Sequence, residues 1–105
     1  VTARTPVADI TEEARQVLAR CNAENVTARL IGGLAVAWHQ HVPTPPNLQR
    51  SYADIDIVIG RKEGGAAKGA LLQLGYVPNQ RFNALHGDRR LLFYDQANDR
   101  QLDVF

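Results

Sequence analysis

Asp54 and Asp56 stand two residues apart in Ala53-Asp54-Ile55-Asp56-Ile57-Val58-Ile59, a run with the apolar, β-branched make-up of a buried strand. Side chains on a strand alternate between its two faces. The two carboxylates therefore share one face, and Ile55, Ile57 and Ile59 share the other. Neighbouring carboxylates raise each other's pKa unless a positive charge lies near them. A hard divalent cation is the usual remedy, and Mg²⁺ typically binds through one or two carboxylates together with substrate phosphates. The chemistry this pair suggests is metal-assisted work on a phosphate.

Three other features bear on that chemistry. Gly32-Gly33 lies where a strand is expected to hand over to a helix. There, backbone N–H groups can approach an anion closely and a helix start adds a favourable dipole. A glycine pair alone is more often only a tight turn. Arg50 and Ser51 directly precede the Asp strand, where a forked guanidinium and a hydroxyl could reach a phosphate. Asp103, in Leu102-Asp103-Val104-Phe105, is another acid inside an apolar strand-like run, a costly position without a partner. If its strand lies beside that of Asp54 and Asp56, three carboxylates converge. Asp103 could then bind a metal ion or take a proton from an attacking hydroxyl. Asp88, Asp95 and Asp99 border turns, where aspartate is common for local reasons.

The elements that must position these residues are legible in the periodicity. A helix is expected from a cap at Asp9 or Thr11 to about Cys21, with Ile10, Ala14, Val17, Leu18 and Cys21 on one face. A strand over Val26 to Ile31 leads to the glycine pair, and a helix over Leu34 to about His39 follows. Three prolines between Val42 and Leu48 make a loop there. After the Asp strand, Glu63 to Leu74 suits a helix ended by Gly75. Tyr76-Val77 and Arg81-Phe82 are expected as short extended pieces around Pro78. Leu91 to Tyr94 and Gln101 to Phe105 form a hairpin across Ala97-Asn98-Asp99. The resulting fold class is α/β (α+β): a mixed sheet with helices packed on it.

Composition narrows the class of function. The 105 residues make one domain, large enough to bury about two-thirds of its unfolded surface. A net charge of +1 argues against coating nucleic acid or a membrane surface, since both need a basic excess. No run is long and apolar enough for a membrane span. The single cysteine, Cys21, excludes an internal disulfide, reads as a helical core residue, and fits a cytoplasmic setting. His39 and His41 lack zinc-helix spacing and have no cysteine pair near them, so they read as surface or structural residues. The absence of methionine and the strand-like end at Phe105 fit a piece of a longer chain.

In order and context, Gly32-Gly33, Asp54-Ile55-Asp56 and Leu102-Asp103-Val104 resemble the nucleotidyltransferase superfamily. That superfamily includes DNA polymerase β, aminoglycoside nucleotidyltransferases and toxin–antitoxin nucleotidyltransferases. The runs Phe82-Asn83-Ala84-Leu85-His86-Gly87 and Arg89-Arg90-Leu91-Leu92-Phe93-Tyr94-Asp95 look like an uncharacterised bacterial branch of it. The resemblance implies a nucleotidyltransferase core over residues 1–105 without the helical region that usually follows the third acid. It implies Mg²⁺ and transfer of a nucleoside monophosphate from ATP or another NTP to an acceptor: a protein, an RNA or a small molecule. By position, Asp54, Asp56 and Asp103 would be the catalytic, metal-binding acids. Gly32 and Gly33 would form the triphosphate turn, with Arg50 and Ser51 nearby, and His86 would be a residue without an assigned role. Many members carry serine or threonine after the glycines, whereas this chain has Leu34. That departure leaves open an alternative: a catalytically inactive nucleotide-binding or toxin–antitoxin interaction module of the same fold. A metal-dependent phosphodiesterase is disfavoured by the near-neutral charge and the glycine pair.

Overall fold

The computed structural model describes residues 4–38 and 54–105. The loop expected over Val42 to Leu48, and with it His39, His41, Arg50 and Ser51, lies outside them. Helix α1, Ile10–Ala23, begins because Asp9 caps it, its carboxylate accepting from the N–H groups of Thr11 and Glu12 at 3.0 and 3.1 Å. Of the two caps the sequence allowed, Asp9 is the one used. The helix runs two residues past Cys21 and closes through Asn25, which takes the left-handed conformation at φ 61°. Its buried face carries Ala14, Val17 and Cys21.

Strand β1 spans only Arg29–Ile31, shorter than the run from Val26 suggested. The N–H of Val26 is taken by the Cys21 carbonyl at 2.8 Å, and the Val26 and Ala28 side chains are buried in the core. Helix α2, Gly32–Trp38, starts at the glycine pair itself rather than after it. Strand β2 is Asp54–Val58, and helix α3 is Gly64–Gln73, ended through Gly75 at φ 94°. Strand β3 is the short pair Val77–Pro78.

Arg81 and Phe82 are not extended, as the sequence reading had them; they belong to helix α4, Gln80–His86. The Asn79 carboxamide caps this helix by accepting from the Phe82 N–H at 3.0 Å. Asn83 then fastens it to the sheet, accepting from the N–H of Leu92 at 2.7 Å and donating to its carbonyl at 3.2 Å. Strands β4, Leu91–Asp95, and β5, Arg100–Val104, form the expected hairpin, with Asp99 at φ 50° in the turn.

Among the described residues five strands make one mixed sheet in the order β1-β2-β5-β4-β3. Only the β2–β5 pairing is parallel; the other three are antiparallel. With four helices among the described residues, the chain is a compact α+β domain, as the interleaved pattern implied. One sheet face carries Ile55, Ile57, Phe93, Leu102 and Val104, which pack with α1 and α3 residues such as Val17, Cys21 and Leu71. Among the described residues no helix is long and apolar enough to cross a membrane.

The segment before α1 is tied down by buried charge. Glu13, with no exposed surface, accepts from Arg4 (2.6 and 3.1 Å), the Val7 N–H (3.1 Å) and the Tyr76 hydroxyl (2.6 Å). Burial, reinforced by the bond to Glu13, holds the Tyr76 phenol far above its ordinary pKa, so it stays a donor. On the same core face Arg100 pairs with the buried Asp95 at 2.6 Å and donates to the carbonyls of Val7 and Ala8. Asp95 is thus a buried ion-pair partner, although the sequence reading grouped it with turn aspartates. Removing one member of a buried pair strands the other charges. Glu13→Ala is therefore expected to cost about 3 kcal/mol in urea unfolding, with Tyr76→Phe costing about 1 kcal/mol through one lost hydrogen bond.

Candidate active site

The parallel pairing of β2 with β5 sets Asp56 directly beside Asp103, and Asp54 beside Gln101. Paired residues on adjacent strands share a face, and positions 54 and 56 share one along the strand. Asp54, Asp56 and Asp103 therefore stand on one side of the sheet, opposite the core. Asp54 is exposed, Asp56 half-buried, and Asp103 only 5% exposed.

This proximity has an electrostatic cost. Burial, followed by the charge and hydrogen-bonding contact of Asp103 and then the charge of Asp54, pushes the Asp56 carboxyl above the ordinary aspartate pKa; Arg90 pulls it back down. Arg90 is the cation that meets this acidic face. Its Nε and one terminal nitrogen both donate to Asp103 Oδ1, at 3.1 and 2.9 Å. Its guanidinium carbon also lies 5.3 Å from the ring centres of both Phe82 and Phe105, within cation–π range. The Phe82 ring in turn meets His86, with centroids 4.8 Å apart. His86 is thus linked to Asp103 through Phe82 and Arg90.

Gly32 closes the other side. Residue Ile31 pairs with Asp56 across the β1–β2 ladder, and the chain turns over the carboxylate at Gly32 with φ 76°. A Cβ at that position would sit 2.6 Å from Asp56 Oδ2. Glycine is required there twice, by its backbone angle and by the acid it borders. Gly33 is exposed at the start of α2, and Leu34 beside it is a buried member of the core. The residue after the glycines therefore packs inward.

No family model, curated protein or solved structure matches this chain. The arrangement must be judged by its own chemistry. Carboxylate oxygens alone make a hard donor set of the kind Mg²⁺ takes, and an acid pushed up by its neighbours gains from a cation. Yet among the described residues no three His, Cys, Asp or Glu side chains form a group ready to hold a metal ion. The charge of Asp103 is met by Arg90 instead.

Of the residues the sequence singled out, Asp54, Asp56, Asp103, Gly32 and Gly33 come together, while Arg50 and Ser51 lie outside the described residues. Arg90, Phe82 and Phe105 were not given a role by the sequence. The available signal was alternation: Leu91 lies on the core face opposite Val104, so Arg90 before it falls on the side of Asp103.

Two outcomes follow. Gly32→Ala should destabilise the domain by about 1–3 kcal/mol in chemical denaturation, the usual cost of holding a side chain at positive φ. Because the folded-state pKa of Asp56 is raised, its ionisation opposes folding: that stability is present in acid and is lost as pH rises through the folded pKa. With EDTA present, Asp56→Asn should raise the melting temperature at neutral pH, and the gain should shrink as pH falls through the aspartate range.

Proposed function

We propose that this domain is the core of a Mg²⁺-dependent nucleotidyltransferase, moving a nucleoside monophosphate from an NTP to an acceptor hydroxyl with release of pyrophosphate. The observation that carries this reading is the side-by-side pairing of Asp56 with Asp103, with Asp54 on the same face and the Gly32–Gly33 turn against Asp56. The order glycine turn, acid-x-acid strand and third acid on the neighbouring strand is the pattern that the superfamily resemblance implied.

In this reading Asp54 and Asp56 hold the metal, and the exposed backbone of Gly32–Gly33 receives the outer phosphates. The bound Mg²⁺ would supply charge neutralisation at the phosphates. Asp103, buried and fixed in place, would accept the proton of the acceptor hydroxyl. Arg50 and Ser51, just before the Asp strand, are proposed to add phosphate contacts. The acceptor would be a protein, an RNA or a small molecule, in a cytoplasmic setting.

A second reading has a specific observation in its favour. The third acid is ion-paired with Arg90, and the position after the glycines is spent on the core by Leu34. An inactive nucleotide-binding or toxin–antitoxin interaction module would tolerate both.

Calorimetry with Mg²⁺ and a non-hydrolysable ATP analogue should show saturable binding that Asp54→Ala with Asp56→Ala abolishes. Binding unchanged in the double variant would remove the metal-site assignment. Incubation with α-labelled NTPs and candidate acceptors then separates the two readings: label transfer supports the enzyme, whereas binding without transfer supports the module.

A further inference from the structure

We propose that the chain carries a second site, a cationic cleft that binds the phosphate of a small phosphate monoester. The inference does not rest on the metal-site reading above: no metal ion takes part, and Asp54 and Asp56 do not line the cleft.

The cleft, of about 90 Å³, lies between the residues that follow β2, the turn from α4 to β4 and the end of β5. Arg61, Asp88, Arg89, Arg90 and Phe105 are among the residues that line it. Three arginines thus meet one carboxylate. Counting also Asp103, which Arg90 already serves, three cations face two acids, an excess of one.

The three arginines are not equally committed. Arg90 is anchored: Asp103 takes its Nε and one terminal nitrogen at 3.1 and 2.9 Å, and the rings of Phe82 and Phe105 lie 5.3 Å from its guanidinium carbon. Its other terminal nitrogen makes no hydrogen bond among the described residues, and its side chain is 41% exposed. Arg89 is paired with Asp88 only loosely, at 4.0 Å between side chains 91% and 79% exposed, and such surface pairs are worth little. Arg61, exposed after β2, has no ion-pair partner among the described residues. Forked guanidinium groups suit phosphate oxygens, and a doubly charged anion gains from one anchored and two loosely held cations.

Size narrows the ligand. A space of about 90 Å³ takes a single anionic group. Pockets that enclose an organic ligand begin at roughly 300 Å³. A second hollow of about 310 Å³ adjoins the first, sharing Gly87 and Leu91 and running on to Gly64, Gly65, Lys68 and Ala84 between α3 and α4. Lined mainly by small and apolar residues, it has room for the organic part of an ester whose phosphate sits among the arginines.

The test is NMR titration of the isotope-labelled chain with inorganic phosphate and with phenyl phosphate, in EDTA and at constant ionic strength. Saturable shifts are expected at Gly60, Arg61, Gly87, Asp88 and Arg89 with both probes. Shifts at Lys68 and Ala84 are expected with the ester alone, which should bind more tightly. Arg61→Ser and Arg89→Ser should each weaken binding about fivefold, the upper range for one exposed ion pair. Asp88→Asn should tighten it about threefold, because it removes a competing carboxylate and releases Arg89. All three positions are exposed, so these variants keep the fold. Absence of saturable shifts with either probe, or shifts unaltered when Arg61→Ser and Arg89→Ser are combined, overturns the site. Matching shifts when chloride replaces phosphate reveal charge screening alone and overturn it too. Ester binding no tighter than that of inorganic phosphate overturns the ester assignment and makes free phosphate the ligand.

Discussion

Repulsion between Asp56 and Asp103 is the constraint around which this half of the molecule is arranged. The parallel β2–β5 ladder pairs these two residues, and adjacent strands lie about 5 Å apart. Two like charges at that spacing cost about 3 kcal/mol at an effective dielectric near 20. Everything in contact with the pair bears on that cost. Burial and the neighbouring acids favour the protonated form of Asp56, Arg90 donates twice to Asp103, and Gly32 leaves the Asp56 carboxylate the space that a side chain would fill.

The opposite face shows a different solution to buried charge. Glu13 and Asp95 are also acids with almost no exposed surface, yet each is matched inside the fold, by Arg4 and Tyr76 in one case and by Arg100 and Asn98 in the other. Those pairs pin the segment before α1 across the core and leave no carboxylate looking for a cation. The contrast is informative. On the core face each acid is ion-paired inside the fold and ties elements together; on the Asp54–Asp56–Asp103 face Arg90 meets Asp103 while burial and its neighbours hold Asp56 above its ordinary pKa.

Much of the fold was readable because it depends on short-range rules. Asp9 followed by an apolar stripe announced α1, Gly75 announced the end of α3, and Asn98-Asp99 announced the β4–β5 turn. Helix α4 was not readable in the same way. Its short length gives little periodicity, and Pro78 nearby favours extended chain over the helix that the Asn79 cap starts. What holds it in place is a long-range contact, Asn83 bonding both backbone groups of Leu92. Strand β1 is shorter than its sequence suggests for a related reason, since burial of Val26 and Ala28 gives a strand-like sequence whether or not a neighbour pairs with it.

The sequence by itself determined which residues carry unusual chemistry. Two acids on alternate positions of an apolar strand must share a face, and a third acid in another apolar run must find a partner, because pleating and desolvation are local facts. Only the tertiary structure decided what meets them. That Asp103 is the neighbour of Asp56 rather than of Asp54 follows from the register of a parallel pairing between strands whose nearest ends, Val58 and Arg100, are far apart in the chain. That Arg90 reaches Asp103 between two rings follows from α4 folding back onto β4. Neither register nor helix docking is encoded in any single stretch: both are set by which arrangement buries the apolar face while leaving the fewest charges alone.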